Sequence, residues 1–319
     1  MMNKRVLITG CAGFIGYHLA KALQARGDFV VGLDNFNDYY SPKLKNDRAD
    51  SLKSLGIDIK KADICDPKEL HALVKTCSVT HVVHLAAQAG VRYSIEAPHT
   101  YVKSNLEGFV HILELCRAFP HLKLTYASSS SVYGLNEKIP FSEQDKTDNQ
   151  ASLYGATKKA NELLASSYHH LYKIPVTGLR FFTVYGPYGR PDMAYYSFTR
   201  DILSGKPISL FNQGMMQRDF TYVDDIVDGI IKAVDLGAAH EIFNLGNNRP
   251  VTLLDFVQTL EKAIGIEAEK KHLPMQKGDV TKTFADISHS QKRLGFSPRT
   301  DLAEGLQKFV NWYRHYNAI

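Results

Sequence analysis

The chain opens on a pattern that few folds accommodate. Val6-Leu7-Ile8 is followed by Gly10-Cys11-Ala12-Gly13-Phe14-Ile15-Gly16, and then by a helical pattern ending at Gly27. A continuous apolar run suits a strand buried on both faces of a parallel sheet. Glycines at this spacing, between a strand and a helix, let the backbone turn tightly and approach a pyrophosphate whose charge sits at the helix N-terminus. The spacing is Gly-x-x-Gly-x-x-Gly and not Gly-x-Gly-x-x-Gly, so a ligand-free glycine turn is the alternative. The second strand, Phe29 to Leu33, ends on Asp34. From that position a carboxylate accepts from adenosine ribose hydroxyls and disfavours a 2′-phosphate, so the expected cofactor is NAD and not NADP.

Further strands follow at Ile57 to Ala62, His81 to Ala87, Leu122 to Ala127 and Val176 to Phe181. Asp63 either accepts from an adenine amino group, with Ile64 packing on the ring, or is a strand-end turn residue. Leu85, Ala86 and Ala87 close the fourth strand, and the two alanines leave room for a cofactor across its end. His81 and His84 read as satisfied strand histidines; no cysteine or carboxylate is spaced to complete a metal site with them. Strand–helix alternation up to Phe181 predicts an α/β fold, a doubly wound parallel (Rossmann) sheet. After Phe181 the rhythm breaks into turns, short strands and helices, which reads as a smaller α/β lobe over the sheet edge. The expected division is a cofactor-binding domain over 1–181, to which 224–246 returns, and a substrate-binding lobe over 182–319.

Tyr154-Gly155-Ala156-Thr157-Lys158 begins a helical pattern that runs to Tyr172. A tyrosine and a lysine four apart share one helix face. An ammonium held near the phenol is expected to pull its pKa below the ordinary ~10, which makes Tyr154 a candidate base toward a hydroxyl. The serine run Ser128 to Ser131 comes directly after an apolar strand, at the edge where such sheets bind ligands, and reads as hydroxyls presented to a substrate, a flexible link being the alternative. Arg190, Arg218 and Lys277 are candidates for a diphosphate or carboxylate. Arg218-Asp219 is equally readable as a structural ion pair.

Composition narrows the function classes. A net charge of +5, spread over the chain, does not form a nucleic-acid stripe. The four cysteines show no Cys-x-x-Cys pair and read as free thiols in a reducing compartment. With no signal peptide and no apolar run of membrane length, a cytoplasmic protein is expected. Ser104 to Phe119 is apolar nearly all round, and Ala156, Ala160, Leu163 and Leu171 form a stripe roughly opposite Tyr154 and Lys158. Two helices with spare apolar faces point to a homodimer seam of four helices.

In this order, the glycine motif, Asp34, Asp63, the serines and Tyr154-x-x-x-Lys158 resemble the extended short-chain dehydrogenase/reductase family over almost the whole chain. Asp34-Asn35-Phe36-Asn37-Asp38-Tyr39-Tyr40, Ala87 to Ser94, Gly189 to Ala194 and Leu273 to Val280 resemble the UDP-glucuronate 4-epimerases within it. Tyr188 stands where many of these enzymes carry tryptophan. The resemblance implies NAD on Gly10, Gly13, Phe14, Ile15, Gly16, Asp34, Asn35 and the strand ends. It implies Ser129, Tyr154 and Lys158 as the catalytic set, and Ser130, Ser131 and Thr183 on a uronate carboxylate with Arg190 nearby. Arg92, Arg218 and Gln276 would face the UDP part. Nucleotide-sugar dehydratases typically carry Asp-Glu where Ser130-Ser131 stand, and uronate decarboxylases a Glu at the second position. The neutral pair therefore argues for epimerisation. The alternatives are a 4-epimerase of a neutral UDP-sugar and a non-catalytic NAD-binding sensor.

Overall fold

The structure is a computed structural model that describes residues 3–274 and 281–319. The chain begins with β1 (Arg5–Thr9), α1 (Phe14–Ala25), β2 (Phe29–Asp34), α2 (Pro42–Ser54), β3 (Asp58–Lys61), α3 (Pro67–Thr76) and β4 (His81–His84). Two short helices, α4 (Tyr93–Glu96) and α5 (Pro98–Tyr101), lead through a π-helical turn, Val102–Glu107, into α6 (Gly108–Ala118). Then come β5 (Lys123–Ser129), a 3-10 turn (Ser130–Tyr133), α7 (Leu153–Tyr172), β6 (Val176–Phe181), β7 (Thr183–Tyr185), α8 (Ala194–Leu203) and β8 (Ile208–Phe211). The remainder is β9 (Gln217–Tyr222), α9 (Val223–Leu236), β10 (His240–Leu245), β11 (Pro250–Thr252), α10 (Leu253–Ile264), β12 (Lys270–Leu273), β13 (Lys282–Thr283), α11 (Ser288–Leu294) and α12 (Leu302–Asn317).

Seven of these strands form one parallel sheet in the order β10-β6-β5-β4-β1-β2-β3. Strand alternation divides its side chains between two cores. Leu7, Val31, Val82, Leu124 and Val176 pack with Phe109, Ile112 and Leu113 of α6 on one face. Val6, Ile8, Val30 and Val83 pack with α1 on the other. Chain order reverses between β1 and β4, and in doubly wound sheets that switch point opens the ligand crevice at the strand C-termini.

Beyond β6, β9 is flanked by β11 and β13 and also pairs with β7, while β8 pairs with β12. Asp219 of β9 fastens this second layer to the end of β10. Its fully buried carboxylate accepts from the Asn247, Asn248 and Ala285 amides at 2.6, 3.0 and 3.0 Å. This is the structural role of Asp219, in place of the ion pair with Arg218 that adjacency suggested. Gly246 is required beside it, because an added Cβ would meet the Ala285 Cβ at 2.7 Å and Asp219 Oδ2 at 2.8 Å.

Two sequence readings change. The fourth strand leaves the ladder at His84 and not at Ala87; the chain is drawn off where Asn105 holds the backbone of Gln88, accepting from its N–H at 2.8 Å and donating to its C=O at 3.0 Å. The helix expected from Ser104 starts as a π turn, and it is not apolar all round: Lys103, Glu107 and Arg117 are exposed. Of the α7 stripe, Leu163 and Leu171 are exposed, while Ala156 and Ala160 are half-buried.

Asp219→Ala strands three backbone N–H groups, so the fold should lose on the order of 3 kcal/mol. The check is the urea midpoint of the variant against the wild type.

Candidate active site

A cleft of about 1370 Å³, counting its open mouth, lies at the switch point. Gly10, Gly13, Phe14, Ile15 and Gly16 form one wall, and Asp34, Asn35, Asp63 and Ile64 the next. Leu85, Ala86 and Ala87 cross the floor, and Ser129, Tyr154, Lys158 and Arg190 stand at the far end. The glycine turn is forced. Gly10 has φ +72°, and a Cβ there would sit 2.7 Å from the Ala86 nitrogen. At the start of α1, Gly13 offers no side-chain cap and the first turn holds no acid. The N-terminal amides of α1 therefore present an uncapped positive end, which suits a diphosphate.

Asp34 is buried and already accepts from the Ala12 and Phe36 amides at 3.0 and 2.9 Å. Burial raises its pKa against those bonds and against Lys45 and Arg48. Asn35 donates to Asp63 at 3.1 Å. Burial pushes the Asp63 carboxyl up, but the Cys65 amide and Asn35 bring it below the usual range overall. A dinucleotide thus fits from the α1 terminus along the ends of β2 and β3.

At the other end, Ser152 caps α7 by accepting from the Gly155 amide at 3.0 Å, which fixes the first turn that carries Tyr154. Ser129 lines the same end of the cleft as Tyr154, and its Oγ accepts from the Ser131 amide at 3.1 Å. Lys158 behaves differently from the expectation. Its buried Nζ donates to Ala127 O at 2.8 Å, and burial lowers its pKa to about 8. Burial likewise raises the Tyr154 pKa; the Ser129 hydroxyl and the Arg190 charge oppose it. The expectation that an ammonium near the phenol pulls its pKa below the ordinary value is thus corrected: in this arrangement the lysine is spent on a carbonyl, and desolvation of the phenol wins.

Arg190 donates from Nε and Nη2 to Asp192 at 3.0 and 2.5 Å, and Tyr39 donates to the same carboxylate at 3.1 Å. Ser130 and Ser131 open the 3-10 turn, and Thr183 opens β7; all three are half-buried and lie off the cavity wall. Arg92 lies with its guanidinium carbon 5.5 Å from the Phe211 ring centre, and Arg218 donates to Gln217 O at 2.9 Å. Neither lines the cleft among the described residues. Gln276 and Lys277 lie outside the described residues.

Sequence reasoning missed Lys45, Tyr39, Tyr40 and Gln88, which also line the cleft. It missed the support behind the serine run as well. Arg180 donates to both Glu162 oxygens at 2.8 and 2.9 Å, and Ser128 donates to Glu162 at 2.7 Å, all buried. Glu162 stands eight residues after Tyr154 on the same helix, a spacing visible in the sequence; its partner on β6 is not.

Residues 6–246 match the family model described as the NAD dependent epimerase/dehydratase family. The chain belongs to the NAD-dependent epimerase/dehydratase family. It is 54% identical to UDP-glucuronate 4-epimerase 4 of Arabidopsis thaliana, over 98% of this chain and 75% of that protein. An uncharacterized protein of Methanocaldococcus jannaschii is 51% identical, over 98% and 97%. Among solved structures of the family, UDP-glucuronic acid 4-epimerase from Bacillus cereus, in complex with UDP-glucuronic acid and NAD, superposes with a TM-score of 0.92. It is 35% identical and covers 98% of this chain and 99% of its own. UDP-glucose 4-epimerase from Thermotoga maritima superposes at 0.90 with 29% identity, covering 98% and 99%. The epimerase/dehydratase fold alone therefore does not choose the sugar.

The buried lysine of this epimerase/dehydratase site has a cost with a definite sign. Its folded value of about 8 lies below the unfolded 10.5. Between those values the unfolded chain binds more protons, so stability rises with pH; below the folded value the full penalty is present. Lys158→Met should therefore stabilise the dinucleotide-free protein at pH 7 by roughly 1–3 kcal/mol. The gain should fade toward pH 10. Urea midpoints of both proteins at the two pH values measure it.

Proposed function

We propose that the chain is an NAD-dependent UDP-glucuronate 4-epimerase, interconverting UDP-glucuronate and UDP-galacturonate by transient oxidation at carbon-4. The observation that carries this reading is the convergence at one end of the cleft of Ser129, Tyr154 and Lys158 with a guanidinium, Arg190, whose charge acts on Tyr154. The first three suit proton removal from a hydroxyl, and the fourth suits an acidic sugar. The likeness to named UDP-glucuronate 4-epimerases at 52–54% identity supports the same substrate.

The glycine turn and the α1 N-terminus would hold the NAD diphosphate, Asp34 the adenosine ribose, and Asp63, Asn35 and Ile64 the adenine end. Bound NAD supplies a hydride acceptor and donor, together with a positively charged ring, so that the cycle needs no net redox. Tyr154 moves the proton at the sugar 4-oxygen, outward in one half of the cycle and back in the other. Ser129 shares that oxygen and keeps the phenol oriented. Lys158, freed from Ala127 O, would bond a ribose hydroxyl and stabilise the phenolate. Ser130, Ser131 and Thr183, with Arg190, would hold the uronate carboxylate, and Arg92, Arg218 and Gln276 the UDP part. A carboxylate so held is kept out of the alignment that loses carbon dioxide from a 4-keto uronate. The neutral Ser130-Ser131 pair lacks the acid and base of a dehydratase.

We further propose that residues 1–181, with 224–246, bind the cofactor and 182–319 the substrate. The parallel pairing of β10 with β6 supports that return. A homodimer through α6 and α7 is supported by exposed Val102, Leu163 and Leu171, and a cytoplasmic location by the four free thiols. No helix among the described residues is long and apolar enough to cross a membrane. Light scattering should give twice the 35.8 kDa chain mass; a monomer at micromolar concentration overturns the seam.

The deciding experiment is proton NMR of UDP-glucuronate with the purified protein and NAD+. A mixture with UDP-galacturonate and no net NADH is expected. A pentose product would mean decarboxylation, and turnover of UDP-galactose alone would mean a neutral-sugar enzyme. Tyr154→Phe should slow turnover by about a thousandfold or more while NAD binding persists; near-normal turnover removes Tyr154 from the mechanism.

A further inference from the structure

Arg48 of α2 is fully buried and touches neither the sugar end of the cleft nor the serines. Its hydrogen bonds end on neutral oxygens from three segments. Nη1 donates to Ala12 O in the glycine turn at 3.0 Å and to the Tyr40 hydroxyl at 2.8 Å. Nε donates to Tyr188 O at 3.1 Å, while Nη2 donates to Tyr188 O at 2.5 Å and to Gly189 O at 3.2 Å. A planar fork of five N–H groups satisfies this geometry, and an ammonium does not.

The segment so held needs holding. Tyr188 has φ +55°, a left-handed conformation that costs energy for a residue with a side chain. His18 Nε2 bonds Pro187 O at 2.8 Å from α1, and the Tyr188 ring packs against Tyr17 and Trp312 with ring centres 4.8 and 4.9 Å away. Arg190 follows two residues later, and its own amide donates to the Tyr195 hydroxyl at 3.2 Å. The side chain that faces Tyr154 therefore projects from a strained turn whose two preceding carbonyls rest on Arg48.

We propose that Arg48 is a positioning residue for acid recognition: by tying the Tyr188 and Gly189 carbonyls to the glycine turn, it sets where the Arg190 guanidinium meets the sugar carboxylate. This rests on the uronate reading above. Arg48 does not itself contact the acid; it fixes the backbone from which Arg190 reaches.

The test is a double-mutant cycle on ligand affinity, with NAD saturating, using UDP-glucuronate and UDP as probes in calorimetry. Arg48→Lys keeps the charge and loses the fork. It should weaken UDP-glucuronate binding about tenfold while changing UDP binding by less than about twofold, because UDP has no sugar acid. In an Arg190→Gln background, Arg48→Lys should have little further effect. Equal weakening of both probes, or additive losses, would mean a general structural role and overturns the proposal. If Arg190→Gln weakens UDP-glucuronate but Arg48→Lys does not, only the positioning role falls. If Arg190→Gln leaves UDP-glucuronate affinity intact, the uronate reading falls and takes the positioning role with it. Should Arg48→Lys fail to fold, Tyr40→Phe removes one acceptor of the fork; a twofold to threefold loss for UDP-glucuronate with UDP unchanged is expected, and no selective loss overturns the proposal.

Discussion

The ion pair between Glu162 and Arg180 is the constraint behind the reactive end of the cleft. It is buried and bidentate, and it joins the middle of α7 to β6. Ser128, at the end of β5, donates into the same carboxylate. From Arg180 the network runs on to the Tyr133 hydroxyl at 3.0 Å and from there to Asn244 of β10 at 2.7 Å. Tyr133 is also stacked on Phe141, and Asn244 donates to Phe141 O and Asp286 O. Ser129, Tyr154 and Lys158 thus hang from elements joined through one polar spine. Such a pair is weak evidence for stability, since removing two charges from water costs about what their attraction returns. What it supplies is registry. A fork and a carboxylate satisfy each other in one orientation, so β5, β6 and α7 cannot slide without breaking several bonds together.

The two ends of the cleft are built by opposite means. At the dinucleotide end the working groups are main-chain amides, made accessible by the absence of side chains at Gly10, Gly13 and Gly16. At the sugar end they are side chains, each held by a neighbour: Ser129 by the Ser131 amide, Lys158 on Ala127 O, Arg190 on Asp192. Glycine amides need no charged partner to be positioned. Phenol, ammonium and guanidinium do, because desolvation moves the pKa of the first two toward the neutral form. Lys158 and Tyr154 both show that drift.

This difference decides what was legible in the sequence. The sheet was readable because buried parallel strands are continuous apolar runs: Val6 to Ile8 and Val176 to Phe181 need no context. The glycine turn and Asp34 were readable because backbone geometry dictates residue type there. Helix α2 was not. The residues it buries include Lys45 and Arg48 beside Leu44 and Leu52, so its inward face carries two cations and the apolar period is lost. Strands β11 and β13 are three and two residues long and fall below any pattern. The direction of Lys158 was misjudged for a related reason. Spacing on one helix brings its stem beside Tyr154, but the head group goes to the Ala127 carbonyl on another element.

On the proposed reading, Arg190 is the group through which specificity for an acid would arise on a scaffold similar to that of a UDP-glucose 4-epimerase. Its Nε and Nη2 are engaged by Asp192, which Tyr39 also holds. A guanidinium has five N–H donors, so a carboxylate on one edge leaves the Nη1 edge for another. Asp192 therefore need not compete with an incoming uronate; it orients the plane of the fork. Its charge also offsets that of Arg190, so that on the proposed reading a neutral sugar would meet a compensated pair and a uronate would add a charge-assisted contact. Discrimination would then rest on the angle of one guanidinium plane, which the turn at Tyr188 would set. Arg48 bonds both that turn and the glycine turn, so the geometry that would admit the acid is tied to the geometry suited to the cofactor.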